Sequence, residues 1–235
     1  MSQITLTGVE GTDRKILLFL DDEDLFHACS ISHYLHKLCN SKFWFQKFFN
    51  TYHANLNQYG FSIDNDDYKK LYKKLRKMEP KGVLFYASQQ GYLELVESML
   101  DNVKVNIHVD HDHALRDGAK YGQLAVVKLL LNRGADVHAN NDKALISAVK
   151  YSHRLHHEDD ALAVVELLLA QGADLHVNDD EALRIASSNG QLAMVALLLN
   201  RGANLHAHDD DALICAAGNG QIAMVELLLA NINNF

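Results

Sequence analysis

The sequence of 235 residues has little proline, little cysteine and no long apolar run. Its only proline is Pro80. The three cysteines are odd in number and lack the spacing of a metal motif, which favours a reducing, intracellular setting: Cys29, Cys39 and Cys215. The apolar run at 16–20 is too short for a signal peptide, and nothing approaches the ~20 apolar residues of a membrane span. The sequence predicts a soluble intracellular protein, cytoplasmic or nuclear, without a membrane partner.

Positive charge is also scarce, since the net charge is −8. This balance argues against general affinity for nucleic acid. The sequence also lacks a nucleophile–base set, a phosphate loop and paired carboxylates in a recognisable cleft. With a hydrophobic content of 48%, the chain can bury a core in one or two domains. These absences predict no catalytic, cofactor-binding or metal-binding residues, and no enzyme.

A repeated phrase organises the second half of the chain. ALRIASSNGQLAMVALLLN starts at Ala182 and recurs from Val83, Ala114, Ala144 and Ala212. The predicted repeats are residues 83–113, 114–143, 144–181, 182–211 and 212–235. A fixed period of this size is typical of a solenoid, in which each unit packs only on its neighbours.

Each unit reads as two helices joined by a turn. Residues 114–121 contain small side chains that allow close packing, and residues 124–131 carry apolar side chains at helical spacing. Glycines punctuate both segments, as at Gly122 and Gly134. An aspartate lies two residues before the opening Ala-Leu of four units, where we expect it to cap the helix: Asp112, Asp142, Asp180 and Asp210.

Residues 122–137, GQLAVVKLLLNRGADV, resemble the ankyrin repeat almost position by position. The resemblance covers residues 83–235 and implies an all-α solenoid of about five helix-turn-helix repeats. The family's Thr-Pro-Leu-His opening is absent, and the finger between units is about three residues shorter than usual. This short, acidic form is similar to the ankyrin arrays of giant DNA viruses, which would place the protein in a host cell.

The N-terminal part has a different composition. Residues 1–12 are polar and predict a loose leader. Residues 13–52 resemble an F-box in the run from Ile16 to Leu25, in Ala28-Cys29-Ser30-Ile31 and in Leu38-Cys39 followed by Trp44. The family's opening Leu-Pro is replaced by Arg-Lys. The resemblance implies docking to the Skp-type linker subunit of a cullin ubiquitin ligase through Leu17, Leu20, Leu25, Leu38 and Trp44. The alternative is a helical cap for the repeats.

Residues 53–82 predict a basic amphipathic linking helix. Tyr68, Leu71, Tyr72, Leu75 and Met78 form an apolar stripe, and lysines cover the other side. A basic amphipathic helix can bind a membrane surface or nucleic acid. The interpretation we favour is a stripe docked on the first repeat, with Pro80 marking the boundary.

Two features rich in histidine raise the question of a metal. The third repeat contains an insertion, SHRLHHEDDA from Ser152, which lacks the order of a zinc hydrolase motif. It predicts a surface segment that contacts a partner. Four histidines recur in register at 108, 138, 176 and 206. The spacing of stacked helices opposes a shared ion, so we expect them to accept hydrogen bonds between fingers, which acid below about pH 6 would weaken.

These observations predict a monomeric protein-interaction adaptor whose concave ankyrin face holds a target and whose F-box-like segment recruits a ligase. The alternative is an ankyrin scaffold or sequestering protein without a ligase. Finger acids at 179, 181, 209 and 211 would favour a basic partner. The residues expected to line the concave face follow: Arg116, Asp117, Lys120, Ile146, Lys150, Arg184, Ile185, Ser188 and Ile214.

Overall fold

The structure is a computed structural model that describes residue 51, residues 65–153 and residues 158–232. All regular secondary structure in these ranges is helical, as the sequence predicts. The chain divides into two compact units, residues 1–79 and residues 80–235, which are described separately. No helix in the described ranges is long and apolar enough to cross a membrane.

The described part of the first unit consists mainly of helix α1, Asn65–Leu75. Leu71, Tyr72 and Leu75 are buried, and the lysines between them are exposed. This division matches the apolar stripe and basic face of the predicted linking helix. The F-box-like segment 13–52 and its five docking candidates lie outside the described residues, apart from Thr51, which is helical and exposed.

The second unit contains five consecutive helix pairs. Their bounds are α2 Pro80–Gln90, α3 Leu93–Asp101, α4 His113–Lys120, α5 Leu124–Asn132, α6 Ala139–Ser152, α7 Glu158–Ala170, α8 Val177–Ser188, α9 Leu192–Asn200, α10 Ala207–Gly218 and α11 Ile222–Ile232. The first helices pack in the order α2, α4, α6, α8, α10, and each second helix packs on its own first helix. This nearest-neighbour arrangement is that of a solenoid.

Helix α5 shows how the sequence forms each second helix. Val126, Val127 and Leu130 are fully buried, whereas Leu124, at the start of the helix, is 38% exposed. The helix ends at a left-handed glycine, Gly134, with φ 90°. The Gly134 N–H donates to the Leu131 carbonyl, and the next N–H donates to the Leu130 carbonyl. This is a Schellman motif, as the glycine pattern predicts.

Small residues permit the close packing within a pair. A Cβ added at Gly118 of α4 would lie 3.3 Å from Cγ2 of Val127 in α5. Ala114 and Ala119 on the same helix are fully buried. A larger side chain at this contact would push the two helices apart, so the small residues belong to the core.

The aspartates expected to cap the first helices do not do so. Asp112 makes no side-chain bond to the first turn of α4 and has φ 53°. Asp112 ends a run of three left-handed residues, which we call a left-handed turn. Four fingers contain such a turn, at residues 110–112, 140–142, 178–180 and 208–210. Every residue in these turns is Asn, Asp or His, the types most tolerant of this backbone.

The third repeat accommodates its extra residues mainly by lengthening its helices. Helix α6 continues to Ser152, and α7 begins at Glu158, about one turn earlier than α5 and α9 begin in their repeats. Residues 154–157, which include two of the inserted histidines, lie outside the described residues. The insertion is therefore partly helical rather than wholly a surface loop.

Candidate binding groove

A ladder of carboxylates holds successive fingers together. Asp112 Oδ1 accepts the backbone N–H of Asp136 at 3.0 Å, and Asp142 Oδ1 accepts that of Asp174 at 2.8 Å. Asp180 Oδ1 accepts the N–H of Asn204 at 2.8 Å. Because the left-handed turn directs each buried carboxylate at the next finger, these three aspartates, here named the carboxylate ladder, fix the spacing of the fingers.

Three of the four histidines contact this ladder, and none of the four is bonded to a neighbouring finger in the hydrogen bonds of the described residues. His138 Nδ1 lies 3.0 Å from Asp142 Oδ1, and the pairs His108–Asp112 and His176–Asp180 repeat this contact at 3.1 and 3.2 Å. The partner of each ring nitrogen is four residues away, in the same finger. The expectation that these histidines accept bonds between fingers is therefore wrong. That acid weakens the array stays a prediction.

A groove of about 410 Å³ crosses the first helices of the last three repeats. Helix α6 with the segment after it, helix α8 and helix α10 each contribute lining residues. Its lining residues are Lys150, Tyr151, His153, Arg184, Ile185, Ser188, Asn189, Asp211 and Cys215. The inserted third repeat therefore contributes His153 to this groove.

An ion pair lies among the lining residues of the groove. Arg184 Nη1 donates to Asp211 Oδ2 at 3.0 Å, and the guanidinium also donates to the carbonyls of Asn178 and Asp179. The hydrogen bond from Arg184 lowers the pKa of Asp211 below its ordinary value. Burial raises the pKa of the Cys215 thiol, which contacts the same carboxylate. The thiol therefore stays protonated at neutral pH.

The part of the groove at the C-terminal end of α6, with the adjacent Lys120 at the C-terminal end of α4, is here named the cationic end. Lys150 Nζ lies 5.9 Å from the centroid of the Tyr151 ring, and Lys120 Nζ lies 4.7 Å from it. Lys120 also approaches the Tyr121 ring at 5.0 Å. Both ammonium groups thus lie near the Tyr151 ring, an arrangement stabilised by the ring quadrupole.

The structure brings four of the nine predicted face residues together. Lys150, Arg184, Ile185 and Ser188 line the groove. Lys120 reaches its edge through Tyr151, and Arg116 lies farther along α4, where it donates to the Asp110 carbonyl. The groove is thus the part of the predicted concave face where the candidate residues converge.

Two of the predicted face residues are buried and unavailable to a target. Asp117 is 5% exposed, accepts one hydrogen bond from Gln89 at 2.9 Å and contacts His113 at 3.3 Å. Ile146 is 1% exposed. Its helix α6 packs between α4 and α8, whereas Ile214, at the same repeat position on α10, is 60% exposed. Prediction from repeat position alone ignores this difference in neighbours.

Sequence reasoning missed Tyr151, Asn189 and Cys215 as groove residues. Tyr151 and Asn189 occupy the last position of the first repeated segment, directly after the predicted candidates Lys150 and Ser188. The sequence did contain a signal for Tyr151, because the same position of the preceding repeat, residue 121, is also a tyrosine. Within the described ranges, no three His, Cys, Asp or Glu side chains are placed to hold a metal ion.

The comparisons agree with this architecture. The family model for ankyrin repeats (3 copies) matches residues 61–141, 84–179 and 145–235. No curated protein matches the chain significantly. Stacked repeats of this kind provide extended surfaces that bind other proteins. The matches together cover well over half of the sequence, and the chain belongs to the ankyrin-repeat family.

Proposed function

We propose that this protein is an interaction adaptor that holds a target protein in the groove across α6, α8 and α10. The observation that carries the proposal is the convergence of Lys150, Arg184, Ile185 and Ser188 in one open groove. Rigid helices position these side chains, and the carboxylate ladder fixes the spacing of their repeats. Such preorganisation lowers the entropic cost of binding a partner.

We further propose that the N-terminal segment, residues 13–52, is an F-box-like module that recruits a cullin ubiquitin ligase. Its support is the sequence pattern of leucines and Trp44. The division of the chain at residue 79 supports a separate N-terminal unit. Under this proposal residues 53–82 link the module to the repeats. Since the repeats resemble those of giant DNA viruses, the proposed target is a host protein.

Binding of the purified full-length protein to the Skp-type linker subunit tests the ligase proposal. We expect the unmodified protein to bind and the Leu20→Asp, Trp44→Ala double variant to lose binding. Arg184→Ala is the matched control, because it alters the groove and should leave linker binding intact. Circular dichroism checks that each variant keeps its helical repeats.

Absence of binding by the unmodified protein would overturn the ligase proposal. The N-terminal segment would then be a structural cap, and the alternative of an ankyrin scaffold or sequestering protein would stand. Equal binding by the double variant would show that the linker contacts another surface.

A further inference from the structure

We infer that the groove takes an acidic peptide segment of the target, one that combines carboxylate and apolar side chains. The inference rests on the proposed function and adds the chemistry of the partner. It departs from the basic partner that the finger acids favoured in the sequence. The groove residues, rather than the net charge of the whole chain, are the groups a bound segment would contact.

The charges that face the groove are mainly positive. Arg184 and Asp211 offset each other through their ion pair. Lys120 and Lys150 contact aromatic rings, and neither forms an ion pair with a described carboxylate. The cationic end therefore retains two uncompensated ammonium groups, to which carboxylates of a partner can form charge-assisted hydrogen bonds.

The finger acids do not cancel this charge at the groove. Asp180 is buried in the carboxylate ladder, and Glu181 accepts a hydrogen bond from Asn178 at 2.7 Å. Asp179 and Asp209 are exposed, but they belong to left-handed turns at the N-terminal ends of α8 and α10. The lysines lie in the last turns of α4 and α6, at the opposite ends of the first helices.

The C-termini of helices α4 and α6 contribute an electrostatic field at the cationic end of the groove. The carbonyl ends of α4 and α6 are partially negative, and a lysine in the last turn offsets that charge. The test therefore needs variants that separate binding from this effect on the helix. Lys→Arg replacements keep the positive charge and the aromatic contact, so they serve that purpose.

Apolar side chains complete the surface. Ile185 lines the groove and is half-buried, and Ile214, beside the lining residue Cys215, is 60% exposed. An acidic segment of mixed composition can place its carboxylates near the lysines and an apolar side chain on these isoleucines. A partner with carboxylates alone would leave Ile214 uncovered.

Selection from a displayed library of random peptides on the purified full-length chain tests the inference. We expect the recovered peptides to be enriched in Glu and Asp together with apolar residues. The affinity of a recovered peptide is then measured for the Lys120→Glu, Lys150→Glu double variant. We expect a loss of about tenfold or more, and weaker binding at high salt, because hydrogen bonds to charged groups are lost.

The control variant carries the same change of charge at two lysines outside the groove. Lys104→Glu, Lys128→Glu replaces two exposed lysines that do not line the groove, and it should bind the peptide within a factor of about two. Lys120→Arg, Lys150→Arg should restore affinity to near that of the unmodified protein. A structural role in the helices alone would change the melting temperatures of the Glu variant without a selective loss of peptide binding.

The outcomes distinguish the inference from the proposed function. Peptides recovered without an acidic excess, or unaffected by reversal of the two lysine charges, would overturn the acidic partner and leave the scaffold in place. Recovery of no peptide above background would overturn the groove as a peptide site altogether. Ligase binding through the N-terminal segment would be unaffected by either result.

Discussion

Single aspartates in the left-handed turns do more for this fold than their exposed neighbours. Asp180 accepts the Asn204 N–H at 2.8 Å and the His176 ring nitrogen at 3.2 Å, and its side chain is 4% exposed. A buried carboxylate is stable only when such donors replace water. The adjacent Asp179 shares the same left-handed backbone but is exposed. The two positions form a natural matched pair.

We predict that Asp180→Ala lowers the free energy of unfolding by about 1.5–3 kcal/mol more than Asp179→Ala. Both substitutions place alanine in a left-handed conformation, so the cost of backbone strain is shared. Only Asp180→Ala leaves the Asn204 amide without its acceptor. Urea unfolding followed by circular dichroism measures the difference. Equal losses would mean that the carboxylate ladder contributes nothing beyond backbone conformation.

The Arg184–Asp211 pair predicts a pH dependence with a defined sign. The pKa of Asp211 is lower in the folded protein than its ordinary value, because Arg184 donates to the carboxylate. The stabilisation is present above about pH 4, the unfolded pKa, and is lost as pH falls through the folded pKa. Both side chains are about one quarter exposed, so we expect a contribution of about 0.5–1 kcal/mol.

Comparison of the unmodified protein with Asp211→Asn across pH measures this contribution. The difference in unfolding free energy should be constant from pH 7 to about pH 5 and should shrink towards pH 3. Asp209→Asn is the control, since the 209 side chain is exposed. A difference that grows on acidification would contradict the assigned direction.

At the scale of elements, the ends of the helices determine where each repeat stops. Gly202 follows α9 with φ 94°, and its N–H donates to the Leu199 carbonyl at 3.0 Å. Gly218 ends α10 without a left-handed backbone. An added Cβ would meet nothing within 4 Å at either position. Backbone conformation alone therefore separates the two glycines.

We predict opposite effects of alanine at these glycines. Gly202→Ala should lower the unfolding free energy by about 1–2 kcal/mol, because alanine is strained in the left-handed region. Gly218→Ala should raise it by about 0.4–1 kcal/mol, since alanine restricts the unfolded chain and fits the helix. Thermal and urea unfolding of the two variants provide the test. Stabilisation by Gly202→Ala would contradict the assigned end of α9.

The helix pairs were predictable from the sequence, whereas the left-handed turns were not. Leucine spacing and glycine punctuation predicted α4 and α5 to within one residue at each end. The aspartate before Ala-Leu was interpreted as a cap because aspartate is a preferred residue at the N-cap of a helix. Three consecutive left-handed residues are unusual, and the backbone N–H groups that donate to their aspartates lie 24 or 32 residues away. Local pattern carries no information on such distant partners.

The groove was partly predictable, because repeat position identifies the face of each first helix but not the neighbours of each side chain. Repeat position placed Lys150 and Arg184 correctly because these side chains follow the regular face of the first helices. It failed for Asp117, which pairs with Gln89, and for Ile146, which lies between two neighbouring helices. Burial depends on what the adjacent repeat presents, and the period does not specify that.

The five pairs also act as a linear array, in which each contacts only its neighbours. Leu198 in α9 and Leu228 in α11 occupy equivalent positions, and both are fully buried. Helix α9 packs between α7 and α11, whereas α11 packs on α9 alone among the described second helices. The same substitution should therefore have different consequences at the two sites.

We predict that Leu198→Ala lowers the unfolding free energy of the whole array by about 2–5 kcal/mol. Leu228→Ala should act locally, because a repeat whose second helix packs on only one described neighbour can open while the others stay folded. Native-state hydrogen exchange measures this difference. The Leu228 variant should lose amide protection mainly in α10 and α11, and uniform loss across all repeats would contradict the linear description.

The carboxylate ladder has a consequence for how such a protein can change length. Its partners are 24, 32 and 24 residues apart in sequence, yet the N–O distances stay between 2.8 and 3.0 Å. The eight additional residues of the third repeat extend the end of α6, the start of α7 and the segment between them, at the opposite end of the helices from the fingers. One edge of the array is therefore rigidly registered, and the other tolerates insertion. New recognition loops can be introduced at the helix–helix turns without disturbing the stack, and the inserted third repeat, which places His153 in the groove, is a natural example.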